Sequence, residues 1–391
     1  MAGSWRKWTV EAEAEAKPAR ALVAGASPAA AASAVALGVA LAAALGACST
    51  CPTGACPPVC VVTRGVVLPG GNPTGDARAA FSGADLAVVY AGADVGTALF
   101  ARLTQDGALR FAPTPTAGDP TLGVVTSPAA GSDAVFQYSG GLRLHHVDPL
   151  GAMLDEIDLA LDFPFTSFSP VSVVADGEGG FVLAAHGGAD VFLQRFDAAG
   201  APAGDAVDVG PADPGPLALV RAPDGTLGLA ALAPSGTGLL WAVAATDASA
   251  APVTGLIAQP LAPSAGFAIA PTDGAGFLVA WGNPAAEIRA HETLDADEGA
   301  AVTLARDAPD ARPLLARAGS GLLVVAWVDA AGQAHAAAVG DDDVPRGPPA
   351  DLGAAIDWYD LVPTSAGVAL VWSPLPATGE ADVVVSFLEC H

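Results

Sequence analysis

A short apolar run returns seven times along this chain at nearly even spacing, and that spacing limits what the chain can fold into. The runs are Ala87-Val88-Val89-Tyr90, Val135-Phe136-Gln137-Tyr138, Val182-Leu183-Ala184-Ala185, Gly228-Leu229-Ala230-Ala231, Leu278-Val279-Ala280-Trp281, Val324-Val325-Ala326-Trp327 and Ala369-Leu370-Val371-Trp372. Their last residues lie 48, 47, 46, 50, 46 and 45 positions apart. Such a period marks one supersecondary unit copied many times, each copy burying its apolar face against the next.

The third copy is the clearest. Ser169 to Val174 reads as a short strand, and Asp176-Gly177-Glu178-Gly179-Gly180 as a turn. Phe181 to Ala185 is apolar without alternation, as a strand covered on both faces would be. Val191 to Phe196 is a third strand, Asp197-Ala198-Ala199-Gly200 a turn, and Asp205 to Val209 a fourth strand. Four strands per repeat describe a propeller blade. The residue opening the third turn is Thr104, Asp148, Asp197, Asp247 and Asp295 in the first five copies, with glycines at Gly107, Gly151 and Gly200. An Asp in that place reads as a turn former rather than a metal ligand. With 46 Gly and 33 Pro, the composition suits short strands broken by turns. Much of the apolar content is Ala, a poor strand former, which weighs mildly against this reading.

The segment Gly179-Gly180-Phe181-Val182, followed by Arg195-Phe196-Asp197-Ala198-Ala199-Gly200-Ala201-Pro202-Ala203-Gly204, resembles a degenerate propeller repeat of bacterial lipoproteins of myxobacterial type. The resemblance covers residues from about 75 to 391 and implies a fold more than a function. The expected fold is all-β: a seven-bladed propeller of four-stranded blades over residues 60–391. Tandem β-sandwiches are the rival. A sandwich needs about 100 residues, so two repeats would make one, and seven repeats with a spare strand fit poorly.

The spare strand is Cys60 to Leu68. The last copy supplies only three strands, at 356–362, 367–372 and 381–388. Pairing residues 60–68 antiparallel with 381–388 would complete the seventh blade and remove two open edges. Cys390 then falls beside Cys60, leaving Cys51 to pair with Cys56. Four cysteines allow three pairings, and strand counting favours this one.

Residues 1–47 read as a signal segment. Arg6, Lys7, Lys17 and Arg20 precede an apolar run from Ala31 to Ala47. Leu45-Gly46-Ala47-Cys48 resembles the bacterial lipobox, whose cysteine is lipidated and becomes the new N-terminus. The expected lipidation site is Cys48, with 48–59 as a Cys/Pro/Gly-rich tether. Plain secretory cleavage is the second reading and an uncleaved anchor helix the third. Ser49 follows Cys48. In the Gram-negative lipoproteins this resembles, a residue other than Asp there permits export to the outer membrane, facing the periplasm or the surface.

Beyond Cys48 there are 12 Arg, no Lys and 38 Asp and Glu. No stretch is basic enough to neutralise a phosphate backbone, so nucleic acid is not an expected partner. The scattered acids read as a solvated surface, and Asp341-Asp342-Asp343 as a turn. His145 and His146 are adjacent on one strand and face opposite ways. His186, His291 and His335 read as isolated edge or surface residues, and His391 ends the chain. No nucleophile elbow, zinc-protease helix or P-loop motif occurs, and Ser235 reads as a loop residue. Asp155 with Glu156, or Glu292 with Asp295, would serve glycoside chemistry only if the fold gathered them in one pocket. Asp295, Asp297 and Glu298 lack the spacing of known calcium loops. No metal or cofactor is expected. Tyr90, Tyr138, Trp281, Trp327 and Trp372 read as packing between blades rather than a ligand-stacking ring.

Three functions follow. The first is a lipid-anchored, monomeric, non-catalytic scaffold binding a protein or glycan. The second is a propeller enzyme, a glycoside hydrolase or lyase, with acids at the central channel. The third is a structural envelope protein. Three or more acids gathered at a channel mouth would favour the enzyme.

Overall fold

A computed structural model describes residues 60–390, apart from 73–75, 95–96, 117–120, 128–131, 139–140, 166–169, 235–237, 247–250, 260, 262–265, 275, 294–300, 309–311, 341–344 and 376–381. Every named element among them is a β-strand. Strand β1 (Cys60–Leu68) comes first in sequence. The first sheet follows as β2 (Ala77–Phe81), β3 (Asp85–Ala91), β4 (Ala98–Thr104) and β5 (Thr114–Thr116). The second is β6 (Thr121–Ser127), β7 (Ser132–Tyr138), β8 (Leu142–Val147) and β9 (Met153–Asp158). The third is β10 (Val171–Ala175), β11 (Phe181–Gly187), β12 (Asp190–Phe196) and β13 (Val207–Pro211). The fourth is β14 (Leu217–Arg221), β15 (Thr226–Leu232), β16 (Leu239–Ala245) and β17 (Val253–Ile257). The fifth is β18 (Phe267–Pro271), β19 (Phe277–Gly282), β20 (Glu287–Glu292) and β21 (Val302–Arg306).

The remaining strands are β22 (Leu314–Arg317), β23 (Leu323–Val328), β24 (Gln333–Val339), β25 (Pro345–Pro363), β26 (Gly367–Pro374) and β27 (Val383–Cys390). They form one sheet with β1, in the order β1-β27-β26-β25-β24-β23-β22. Strand β25 serves two ladders: residues up to Ala354 pair with β24, and those from Ala355 onward pair with β26. Every ladder among the described residues is antiparallel, and in each sheet of four the strands sit in chain order.

All seven apolar runs lie in the second strand of a ladder, at β3, β7, β11, β15, β19, β23 and β26. Strand β11 is buried at every position, and β19 and β23 likewise. The fourth strand β9 is mostly exposed. A second strand has neighbours on both edges and sheets over both faces, so it carries no alternation. This also explains the Ala content. Ala184 and Ala185 are fully buried, and the small side chain of Ala185, on the same face as Phe181, leaves room for Phe181 and Phe196.

The apolar clusters lie between consecutive sheets. Phe181, Leu183 and Phe196 pack with Leu142 and Leu144 of the preceding sheet, while Val182 and Ala184 pack with Leu229 and Ala231 of the next. Val362, Ala369 and Val371 pack with Ala77, Leu86 and Val88, bringing the end of the chain against the first sheet. The first strands touch in sequence: β2 with β6, then β10, β14, β18, β22 and β25, which lies against β2 again. Strand β1 pairs with β27 with Cys60 opposite Cys390, and their sulfurs are joined at 2.02 Å.

The repeated turn has a physical basis. The Asp197 carboxylate accepts the N–H groups of Ala199 and Ala201, both at 2.9 Å. Asp148 does the same for Leu150 and Ala152, at 2.8 and 2.9 Å. In the first sheet the Thr104 hydroxyl accepts the Ala108 N–H at 3.0 Å. Gly107, Gly151 and Gly200 close these turns at φ 75°, 89° and 77°, a region that costs other residues strain. Asp247 and Asp295 fall outside the described residues.

Candidate functional site

The innermost strand of each sheet has a free edge, and its unpaired backbone groups need partners. Two such needs are met by side chains. The Ser172 hydroxyl on β10 accepts the Leu219 N–H from the middle of β14 at 3.0 Å. The Asp360 carboxylate on β25 accepts the Ala79 N–H from the middle of β2 at 2.8 Å. Both link neighbouring inner strands.

Around Asp360 the fold gathers charges far apart in sequence. Asp360 also accepts the Leu361 N–H at 3.0 Å. Asp76 accepts the Ala77 N–H at 3.0 Å and pairs with Arg78 at 2.7 Å. Asp357 pairs with Arg312 at 2.5 Å. Enclosure between β25 and β2 pushes the Asp360 carboxyl above the usual carboxylate range, and Arg78 offsets part of that push. The Asp76 carboxyl is raised too, by desolvation, with Arg78 again opposing and Asp357 adding to the rise. This group of three acids and two arginines lies where the first and last inner strands, β2 and β25, meet. Sequence reasoning missed it, because Ala79 and Asp360 are 281 positions apart.

The residues singled out from sequence have separate fates. Cys60 and Cys390 are bonded, while Cys48, Cys51 and Cys56 fall outside the described residues. Ser235, Asp295, Asp297, Glu298, Asp341 to Asp343 and His391 also fall outside. Asp155 and Glu156 lie on the outer strand β9, paired with His146 and Arg143. Glu292 accepts the Thr272 hydroxyl at 3.0 Å. His145 is buried while His146 is partly open, as opposed strand faces require. Burial lowers the His145 pKa.

The expectation that the isolated histidines lie at edges or on the surface is wrong for two of them. His186 and His291 are 1% and 6% exposed. His186 sits at the end of a wholly buried second strand, where its Nε2 meets the Gly215 carbonyl oxygen at 3.1 Å. His335 is partly buried, bound to Asp329 at 3.0 Å and tilted against Trp327.

Tyr90, Trp281, Trp327 and Trp372 are all buried. The Tyr90 hydroxyl donates to the Pro69 carbonyl at 2.9 Å, and burial raises its pKa. Trp372 donates its indole N–H to the Ser386 hydroxyl at 2.9 Å. These rings fill space between sheets rather than forming an open platform. Among the described residues no cluster of three His, Cys, Asp or Glu is arranged to hold a metal ion.

No family model and no curated protein matches this chain. Solved structures do. One titled the structure of the Dos1 propeller shares 11% identity at a TM-score of 0.53, covering 84% of this chain and 95% of that one. Hydrazine synthase from Kuenenia stuttgartiensis shares 12% identity at a TM-score of 0.53, covering 78% of this chain and 93% of that one. At such identity the likeness speaks to fold alone. The sheets therefore form a β-propeller.

Proposed function

We propose that this chain is an exported, non-catalytic propeller scaffold that binds a protein or glycan through its loops. In this reading the propeller has seven blades. The last is completed by β1 and locked by Cys60–Cys390. The unbroken circuit of first strands from β2 round to β25 supports that count, with β25 lending its two halves to two blades. Cys48 carries a lipid, and residues 48–59 tether the disc to the outer membrane.

The observation that carries the non-catalytic reading is the commitment of the three inner acids. Asp360 is held by two backbone N–H groups, Asp76 by Arg78 and a backbone N–H, and Asp357 by Arg312. A general acid or base must be within reach of substrate, with capacity to exchange a proton. Asp360 instead joins the first and last inner strands, and Asp76 and Asp357 are each held by an arginine.

The second reading, a glycan-cleaving enzyme, would need Asp76, whose side chain is 45% exposed, to act on a substrate despite its pairing with Arg78. A panel of polysaccharides tests the two together. The scaffold reading expects retention on a glycan or protein without turnover. Turnover that Asp76→Asn abolishes would make the chain an enzyme. Anchoring is tested by fatty-acid labelling, where Cys48→Ser is expected to lose the label and leave the membrane fraction. A Cys48→Ser chain that stays labelled and membrane-bound would end that part of the proposal.

A further inference from the structure

In each four-stranded sheet the fourth strand ends the sheet, and its outer edge offers unpaired N–H and C=O groups. Most of these edges are blunted. Strand β5 is three residues long with Pro115 at its centre. Strand β9 carries Asp155, Glu156 and Asp158, and its register shifts against β8. Strands β13 and β21 carry Asp208 and Arg306, and each shifts register against its neighbour. The half of β25 that pairs with β24 contains Pro348 and Pro349, and β1 has Arg64 beside its register shift. A charge, a proline or a bulge on an edge strand discourages a further strand from adding to it.

Strand β17 has none of these. It reads Val253-Thr254-Gly255-Leu256-Ile257 and pairs with Leu239 to Val243 of β16 without a shift. Its other edge is unpaired. Val253 and Leu256 are 54% and 44% exposed, and Thr254 is exposed as well. The Trp241 ring lies against Gly255, where an added Cβ would come within 2.2 Å of it, so the middle of the strand is packed on its own sheet. The sequence around the strand is as unusual as the strand. From Gly225 to Thr272 the chain holds one charged residue, Asp247, although it carries 41 Asp and Glu and 16 Lys and Arg in all. Strands β15, β16 and β17 lie wholly inside that stretch.

We infer that the open edge of β17 pairs with the same edge of a second copy of this chain, joining two fourth sheets across a two-fold axis. This replaces the monomer expected from the sequence. The charges choose the occupant. Two copies of net charge −25 repel where their acidic surfaces meet, and along β17 neither brings a charge. A bilayer offers no amide groups to pair with the edge. A two-fold axis sets a strand antiparallel to itself, the same sense as the ladder between β16 and β17. With the axis at Gly255, residue 254 of each copy meets residue 256 of the other. An edge of five residues buries less than the roughly 1,200 Å² of a stable interface, so the dimer is weak and forms at high local concentration.

The experiment replaces Leu256 of the full chain by a photoreactive phenylalanine analogue, and in a second sample Leu154. Leu154 is a matched control, 60% exposed on a fourth strand that carries acids and a register shift. Irradiation in the native cell is expected to give an adduct of two chains at 256, about tenfold stronger than at 154. In detergent solution, sedimentation of the wild type is expected to show a monomer–dimer equilibrium that tightens as salt screens the net charge. Thr254→Lys and Thr254→Asp are each expected to weaken the dimer about tenfold, with thermal unfolding unchanged. An equal mixture of the two variants is expected to recover the wild-type dimer, because opposite charges then face each other diagonally across the axis. An adduct at 256 to another protein alone overturns the inference, as does one no stronger than at 154. So does a dimer insensitive to Thr254→Lys, or a mixture that dimerises no better than either variant. None of these results touches the scaffold reading, which does not depend on this edge.

Discussion

The third sheet and the one holding β1 and β27 are assembled from different stretches of chain. The third, β10 to β13, comes from one continuous stretch of chain, and each strand pairs with the one before it. The last depends on β27 pairing with β1, across a sequence separation of 330 at the cysteines. Local pairing closes short loops, whose entropy cost is small, whereas a terminal strand must be brought back from the far end of the chain. The third sheet accordingly relies on turns, through Asp176 and Asp197. The last adds a covalent bond and the Asp360 contact to β2.

The largest effect tests the core of the third sheet, which no covalent bond supports. Phe196 is fully buried, stacked on Phe181 at 5.1 Å between ring centroids. Phe196→Ala is expected to cost about 3–5 kcal/mol in urea unfolding. The loss should be the same with or without reductant, since no covalent bond is touched. The next effect belongs to the closing ladder alone. Cys390→Ser is expected to cost about 2–5 kcal/mol. Reductant should lower the wild-type midpoint and leave the variant where it is. Faster amide exchange should appear in β1 and β27 before β10 to β13. Equal exchange in both sheets would show that the terminal strand needs no bond to hold it. A smaller effect lies in the turns. Asp197→Ala removes two hydrogen bonds at an exposed hairpin and is expected to cost about 1–2 kcal/mol, read as a shift in the urea midpoint.

The same contrast explains what could be read from the sequence. Local features were legible. Apolar runs marked the second strands, and Thr104, Asp148 and Asp197 marked turns they do cap. The partnership of Cys60 and Cys390 followed from counting strands. Contacts between distant segments were not legible. Nothing local to Asp360 says that its partner is the Ala79 N–H. The burial of His186 and His291 depends on sheets packed over them from elsewhere in the chain. The first half of β25 was hidden for another reason. Gly347, Pro348, Pro349 and Gly353 carry no strand signal, yet the strand runs through them. Its register shifts against β24 on either side of Ala336, and Gly347 and Gly353 take φ 68° and 99°. Proline is tolerated there because this half of β25 has no partner on its other edge.

The smallest effect isolates the non-covalent tie of the closing ladder. Enclosure raises the Asp360 carboxyl in the folded chain, with Arg78 opposing. A carboxyl with a raised native value holds its proton more tightly folded than unfolded. Its contribution is therefore most favourable below the unfolded value of about 4. It falls as pH rises from there to the native value and is flat above. Asp360→Asn binds no proton, so the decline over that window should flatten in a series of urea midpoints. The amide oxygen still accepts the Ala79 N–H, but its nitrogen is a donor facing the Leu361 N–H, so a small loss at neutral pH is expected. A decline as steep in the variant as in the wild type would assign the pH dependence to Asp76, the other carboxyl raised in this cluster.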